Sequence, residues 1–361
     1  MTAPVRVLVV DDSAVMRQLL STLLAEDPEI EVVGTAPDPL VARERIKQLN
    51  PDVLTLDVEM PHMDGVSFLR KIMTLRPMPV VMISTLTRAG AEVTLEALEI
   101  GAVDFIAKPV ANQAQELALL ADELRTKVKS AARTRVGARS HAAAPAKPRR
   151  SESFVSSGDK IVLIGASTGG VEALKVVLMD LPENCPPVLI TQHMPPRFTT
   201  AFAERLNREC PMKVSEARHD DVIEQGHVYI APGSHHLELV RKGTGYACAL
   251  NDGALVSGHR PSVDVLFRSG ARLAPQKIVS VILTGMGKDG AEGMLELSRG
   301  GAVTIGQDEH SSLIYGMPRA AFERGAVQHQ FPLTRVADAI LDACEARPHG
   351  AKPAHAASRA G

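Results

Sequence analysis

The stretch "KIVLIGASTGGVEALKVVL", residues 160–178, decides the fold class. An unbroken apolar run passes directly into a helical apolar pattern, with Gly165-Ala166-Ser167-Thr168-Gly169 at the join. A strand buried on both faces that feeds straight into a helix is the repeating unit of a parallel α/β sheet. The join reads G-x-S-x-G. It is compatible with a nucleophile on a sharp strand-to-helix turn, and equally with a serine that caps the helix.

The same unit recurs on both sides. Over residues 5–122, β-branched runs at 5–10, 30–36, 52–57, 79–84 and 102–107 alternate with amphipathic segments. From Lys160 a second series follows, with strand-like runs in "KIVLIGA", "PVLITQ", "KVSEA", "HVYIA", "KIVSVILTG" and "GAVTIGQ". Helical segments are expected at 171–181, 198–209, 263–273, 291–299 and 334–346. Shorter strands and turns over 228–258 suggest an antiparallel insertion. Two doubly wound α/β domains are therefore expected, over 1–122 and 158–346. Residues 123–157, rich in Ala, Ser, Pro and Arg, read as a flexible basic linker, and 347–361 as a disordered tail.

At 361 residues the chain has room for two ordinary domains, and its formal net charge of −2 gives no reason to expect nucleic acid as a partner. The four cysteines show no metal-ligand spacing and read as reduced thiols of a cytoplasmic protein. The apolar run at the N-terminus is too short for a signal-peptide core, and no stretch approaches the roughly 20 residues of a membrane span. No membrane insertion is expected.

Ligands of open parallel sheets bind beyond the carboxyl ends of the strands. In the first domain those ends carry Asp11, Asp12, Asp57, Ser84, Thr85 and Lys108. Three converging carboxylates raise one another's pKa values unless a cation sits among them, and an oxygen ligand set with room for a phosphoryl group suits Mg²⁺. In the second domain, Ser167, His193 and Asp289 all fall on strand-end loops, as a nucleophile, its base and an orienting acid must. A rival reading exists. Gly285 to Gly290 match G-x-G-x-x-G, with Asp308 near the place of a ribose-binding acid, so a nucleotide-binding output domain is conceivable. A purely partner-binding output domain is a third reading.

"VVDDS", "TLDVEMPHMDG", "MIST" and "AKP" resemble the response-regulator receiver family. The resemblance implies that Asp57 accepts a phosphoryl group from a histidine kinase. It also implies that Asp11 and Asp12 hold Mg²⁺ with Asp57, that Ser84 and Lys108 bind the phosphoryl oxygens, and that Phe105 is an aromatic switch. "IGASTGG", "TQHMPPRFT", "HVYIAPGSHHLEL", "HRPSVDVLF", "LTGMGKDGAEG" and "TIGQDE" resemble the catalytic domain of the chemotaxis protein-glutamate methylesterases. That family hydrolyses γ-glutamyl methyl esters and deamidates glutamines on the cytoplasmic helices of chemoreceptors. It implies Ser167 as nucleophile, His193 as general base, Asp289 as the residue that orients it, and amides around Thr168 and Met286 as oxyanion donors. No cofactor is expected for the ester chemistry, and a monomer is expected. His235, His236, Arg260 and Asp264 fall in matching stretches without a derivable role.

Overall fold

The computed structural model describes residues 3–61, 63–109, 114–134, 154–156 and 158–345. The first domain contains β1 (Val5–Val10), α1 (Ala14–Ala25), β2 (Ile30–Ala36), α2 (Pro39–Leu49), β3 (Val53–Asp57), α3 (Gly65–Leu75), β4 (Val80–Ser84), α4 (Arg88–Ile100), β5 (Asp104–Ala107) and α5 (Ala114–Ala132). Its five strands are all parallel, in the order β2-β1-β3-β4-β5. The strand order reverses between β1 and β3, and the residues that follow those strands meet there.

The second domain contains β6 (Ile161–Ala166), α6 (Gly170–Met179), β7 (Val188–Gln192), α7 (Phe198–Glu209), β8 (Lys213–Glu216), β9 (His227–Ile230), β10 (His236–Lys242), β11 (Gly245–Asn251), α8 (Val263–Leu273), β12 (Ile278–Ile282), α9 (Ala291–Arg299), β13 (Val303–Gln307), α10 (Met317–Glu323), β14 (His329–Phe331) and α11 (Leu333–Cys344). Seven parallel strands run β14-β13-β12-β6-β7-β9-β8, and β10 and β11 form the expected antiparallel pair apart from that sheet. Residues of β6, β7, β9 and β12 are buried on both faces, so their sequences are continuous apolar runs without alternation.

Two expectations need correction. The supposed linker does not begin at 123. Helix α5 continues to Ala132, because Leu120, Leu124, Val128 and Ala131 recur at helical spacing and pack into the first domain's core. The basic residues between them occupy the other faces; Arg125 donates to the Leu23 carbonyl and Lys129 pairs with Asp27. The remainder of the linker, 135–153, and the tail 347–361 lie outside the described residues. Helix α10 and strand β14 were not anticipated.

The two domains pack together. Phe105 of β5 stacks on Phe198 of α7 with ring centroids 4.4 Å apart, and one apolar cluster runs from α3 and α4 into α6 and α7. Around it, Glu99 of α4 receives both Lys175 of α6 and Arg205 of α7. Arg88 pairs with Glu204 at 2.8 Å. Among the described residues no helix is long and apolar enough to cross a membrane.

Leu124→Ala should cost about 2–5 kcal/mol of first-domain stability, as truncation of a buried leucine does. Chemical denaturation of the full chain would measure it; a flexible linker at that position would show no change.

Candidate functional site

The hydrogen-bond ladder of the second sheet continues past its strands and sets the catalytic loops in register. Ser167 N donates to Thr284 O at 3.1 Å on one side, and His193 N donates to Ala166 O at 3.1 Å on the other. Helix α6 starts only at Gly170, with Gly169 as its N-cap at φ +77°. Ser167 therefore lies outside the helix and caps nothing. Its Oγ lies 3.2 Å from His193 Nδ1 instead. His193 Nε2 lies 2.8 Å from Asp289 Oδ2. The neutral ring that fits this chain carries its proton on Nε2, facing the carboxylate, and presents a bare Nδ1 to the serine. The ring is thus used the opposite way round from the serine-protease triad.

Asp289 is 1 % exposed. It sits on the N-terminus of α8, where Val263 N donates at 2.7 Å, Asp264 N at 3.1 Å and Ser262 Oγ at 2.8 Å. Burial alone would raise its pKa, but the bond and charge of His193 and the α8 donors outweigh burial and hold it below the usual carboxylate value. Asp264, one residue into the same helix, accepts from Gly293 N at 2.7 Å. Burial, followed by the nearby Asp289 charge, pushes its pKa up.

The segment before α8 explains residues that the sequence left without a role. Ser257 and Gly258, both at positive φ, form a two-residue turn closed by reciprocal Val256–His259 backbone bonds. That turn presents His259, whose ring stacks on His193 with centroids 3.8 Å apart and planes 13° from parallel. Burial, then the proximity of His193, pushes the His259 pKa down to about 4, so a neutral ring faces the catalytic imidazole. Arg260 donates to the carbonyls of Asp252 and Gly253, and His236 Nδ1 accepts from Ser262 N at 3.1 Å. Both brace the Asp289 donors. His235 pairs with Ser234 at 2.7 Å and does not join the triad.

The glycine loop after β12 carries Asp289 to this place. A Cβ on Gly285 would stand 2.3 Å from Met317 Sδ and 2.9 Å from Ser167 Cβ. The absence of a side chain there lets the loop lie against the nucleophile. Asp308 accepts from both Ser311 N and Ser311 Oγ in its own loop. Of the G-x-G-x-x-G glycines, Gly285 is thus accounted for by packing against Ser167 and Gly287 and Gly290 by their positive φ, with Asp308 engaged locally.

In the first domain, Asp11, Asp12 and Asp57 bring ligand atoms within 4.8 Å of one another. Lys108 Nζ bridges Asp57 Oδ2 at 2.8 Å and Asp11 Oδ2 at 3.1 Å. Burial, opposed by the Lys108 bond and reinforced by Asp11, pushes the Asp57 pKa up to about 6. A compact set of carboxylate oxygens with Asp12 open to solvent fits a hard, partly hydrated divalent cation. Ser84 is not brought to Asp57. Its Oγ faces α4, accepting from Thr94 at 2.7 Å and donating to Gly90 O at 3.3 Å.

The first domain also lies on the second domain's catalytic loops. Thr168 Oγ1 donates to the carboxylate of Asp104, which Lys127 Nζ approaches at 3.2 Å. Ser130 of α5 contacts Met286, and Leu313 packs against the core that α5 completes. Arg197, in a left-handed conformation four residues after His193, donates to Leu86 O in the loop after β4 at 2.9 Å. Thr168 and Met286, named for oxyanion binding, are therefore both covered. Asp104, Lys127, Ser262, Thr284 and His259 escaped the sequence reading because only tertiary contacts give them meaning.

Residues 162–340 match the family described as CheB methylesterase, and residues 7–120 the response regulator receiver domain. A protein-glutamate methylesterase/protein-glutamine glutaminase of Caulobacter vibrioides is 57 % identical over 96 % of this chain and 99 % of its own. Its counterpart in Pseudomonas aeruginosa is 53 % identical over 96 % and 99 %. The crystal structure of the Thermotoga maritima CheB methylesterase catalytic domain aligns at TM-score 0.50 and 35 % identity, over 51 % of this chain and 97 % of that one. With both family models matched and relatives of this identity covered almost end to end, the chain belongs to the receiver-containing protein-glutamate methylesterase/protein-glutamine glutaminase family.

Proposed function

We propose that the chain is a cytoplasmic, monomeric hydrolase of γ-glutamyl methyl esters on chemoreceptor helices. It would also deamidate glutamines there, under control of a histidine kinase. The observation that carries the reading is the hydrogen-bonded series Ser167–His193–Asp289, with its acid buried and fully engaged. Ser167 Oγ attacks the γ-carbonyl carbon while its proton passes to His193 Nδ1. The Asp289 carboxylate holds Nε2–H and steadies the imidazolium that forms. The amides of Thr168 and Met286 receive the oxyanion. His193 returns the proton to the departing methoxide, and methanol leaves. Water, deprotonated at Nδ1, hydrolyses the acyl-enzyme to the glutamate. A glutamine side chain follows the same course and releases ammonia.

Asp57 is the phosphoryl acceptor, and Asp11 and Asp12 with Asp57 would hold Mg²⁺, which would supply positive charge to the acceptor site. Lys108 and Ser84 bind the phosphoryl oxygens. To reach them, Ser84 must give up Thr94 and Gly90, which shifts the loop whose Leu86 carbonyl holds Arg197. Phe105, stacked on Phe198, lies on the same face and serves as the aromatic switch. Phosphorylation favours an arrangement in which Asp104 and Ser130 no longer cover the Thr168 and Met286 loops. Its effect is as large as its differential affinity for the two arrangements.

Ser167→Ala should abolish methanol release from receptor-bearing membranes while the fold is kept; release at the wild-type rate would remove Ser167 from the mechanism. Asp289→Asn should lower kcat by about 10⁴-fold, the cost of a misoriented base. Asp57→Asn should eliminate stimulation by a small phosphodonor with Mg²⁺. Glu99→Lys, which sets like charges against Lys175 and Arg205, should raise the unstimulated rate severalfold; an unchanged rate would separate this interface from control.

A further inference from the structure

Gln192 ends β7 and is 3 % exposed. Its side chain turns toward the neighbouring strand. Nε2 donates to the backbone carbonyl of Ser167 at 3.0 Å and to that of His193 at 3.2 Å. Oε1 is buried without a hydrogen-bond partner. Two carbonyl acceptors on one nitrogen fix the direction of the amide, since its oxygen in that place would face both. Room for it is left by Gly170, where a Cβ would stand 2.1 Å from Oε1. A buried oxygen without a partner is unfavourable, and an apolar side chain of this length would avoid it. The nitrogen end is what distinguishes glutamine from such a residue here.

We propose that Gln192 is a positioning residue that clasps the peptide of the nucleophile to the peptide of its base. The sheet ladder fixes the strands and reaches the amides of Ser167 and His193; what it does not tie to one another is their carbonyl ends. Ser167 stands on one such loop and His193 on the other. One amide nitrogen shared between their carbonyls sets the separation of the loops, and so the Ser167 Oγ–His193 Nδ1 distance. On the opposite flank of Ser167, Thr284 makes a parallel connection. Its hydroxyl donates to Thr168 O at 3.0 Å, and its own N–H donates to Gln307 Oε1 at 2.7 Å. That flank places the turn but makes no bond to the His193 loop; Gln192 is the side chain that joins the carbonyls of nucleophile and base.

The proposal rests on the assignment of Ser167 and His193 above, and its test separates the two. Full-length Gln192→Met keeps length and loses the donor; Gln192→Glu keeps shape. With phosphodonor present, Gln192→Met should lower kcat for methanol release about tenfold to a hundredfold, as a small misplacement of reacting groups does, with KM within about twofold of wild type. Phosphonylation of Ser167 by a small fluorophosphonate should slow in parallel, with cooperative unfolding retained. In Gln192→Glu the neutral acid can still donate to one carbonyl, whereas the carboxylate would face two oxygens. Its activity should therefore gain a falling limb as pH rises that wild type lacks, since His193, His259 and Asp289 are common to both proteins. Wild-type-like kcat and phosphonylation in both variants across pH would overturn the proposal. If Gln192→Met does not fold, the falling limb of Gln192→Glu decides, its absence counting against the clasp. Wild type that is phosphonylated at Ser167 but releases no methanol would fault the substrate assignment and leave the clasp testable through phosphonylation.

Discussion

A carboxylate enclosed to the degree of Asp289 stays ionised only if donors surround it. Three come from the first turn of α8 and a fourth from His193. Four donors around one acid fix the loop after β12, the start of α8 and the histidine after β7 relative to one another. The support continues outward. His236 receives the Ser262 amide, Arg260 ties down the turn, and the Ser257–Gly258 turn sets His259 flat against the catalytic ring. Residues far apart in sequence are thus held by a single electrostatic requirement.

The proposed control draws on the same loops. The first domain contacts the catalytic domain through Thr168, Met286, Leu313 and Arg197, all in or beside segments that carry the triad or its expected oxyanion donors. The ionic and aromatic contacts of α4 and β5 with α6 and α7 then set how firmly that cover rests. Glu99, between two cations, and Phe105, against Phe198, are partly or wholly withdrawn from water. Such contacts depend on the approach of the two domains, so in the proposed control a modest shift in the loop after β4 would be felt at the catalytic face.

Much of this was legible in the sequence, for identifiable reasons. Strands buried on both faces are continuous apolar runs, and the residues following them are the ones the sheet must gather. Ser167, His193, Asp289, Asp57 and Lys108 could accordingly be singled out by position as strand-end candidates, with their roles implied by the family resemblance. The end of helix α5 was set too early, about one turn into the basic segment, because its basic residues obscured the spacing of Leu124, Val128 and Ala131. Helix α10 is seven residues long and β14 three, too little pattern to read. The resting orientation of Ser84, and the service of His259, Ser262 and Asp104, depend on partners from distant segments and leave no local trace.

Across the sheet, β6 lies between β12 and β7, so the nucleophile's strand separates the acid's strand from the base's. The chain that carries Asp289 must therefore travel past the serine before its carboxylate can meet the imidazole. Gly285, with no room for a methyl group beside Ser167, is the mark of that passage. The detour has a chemical dividend: it lays a stretch of main chain alongside the attacking oxygen, where a substrate carbonyl would come to rest. Strand order, a property of topology, thereby brings main-chain amides beside the proposed nucleophile without devoting a side chain to the task.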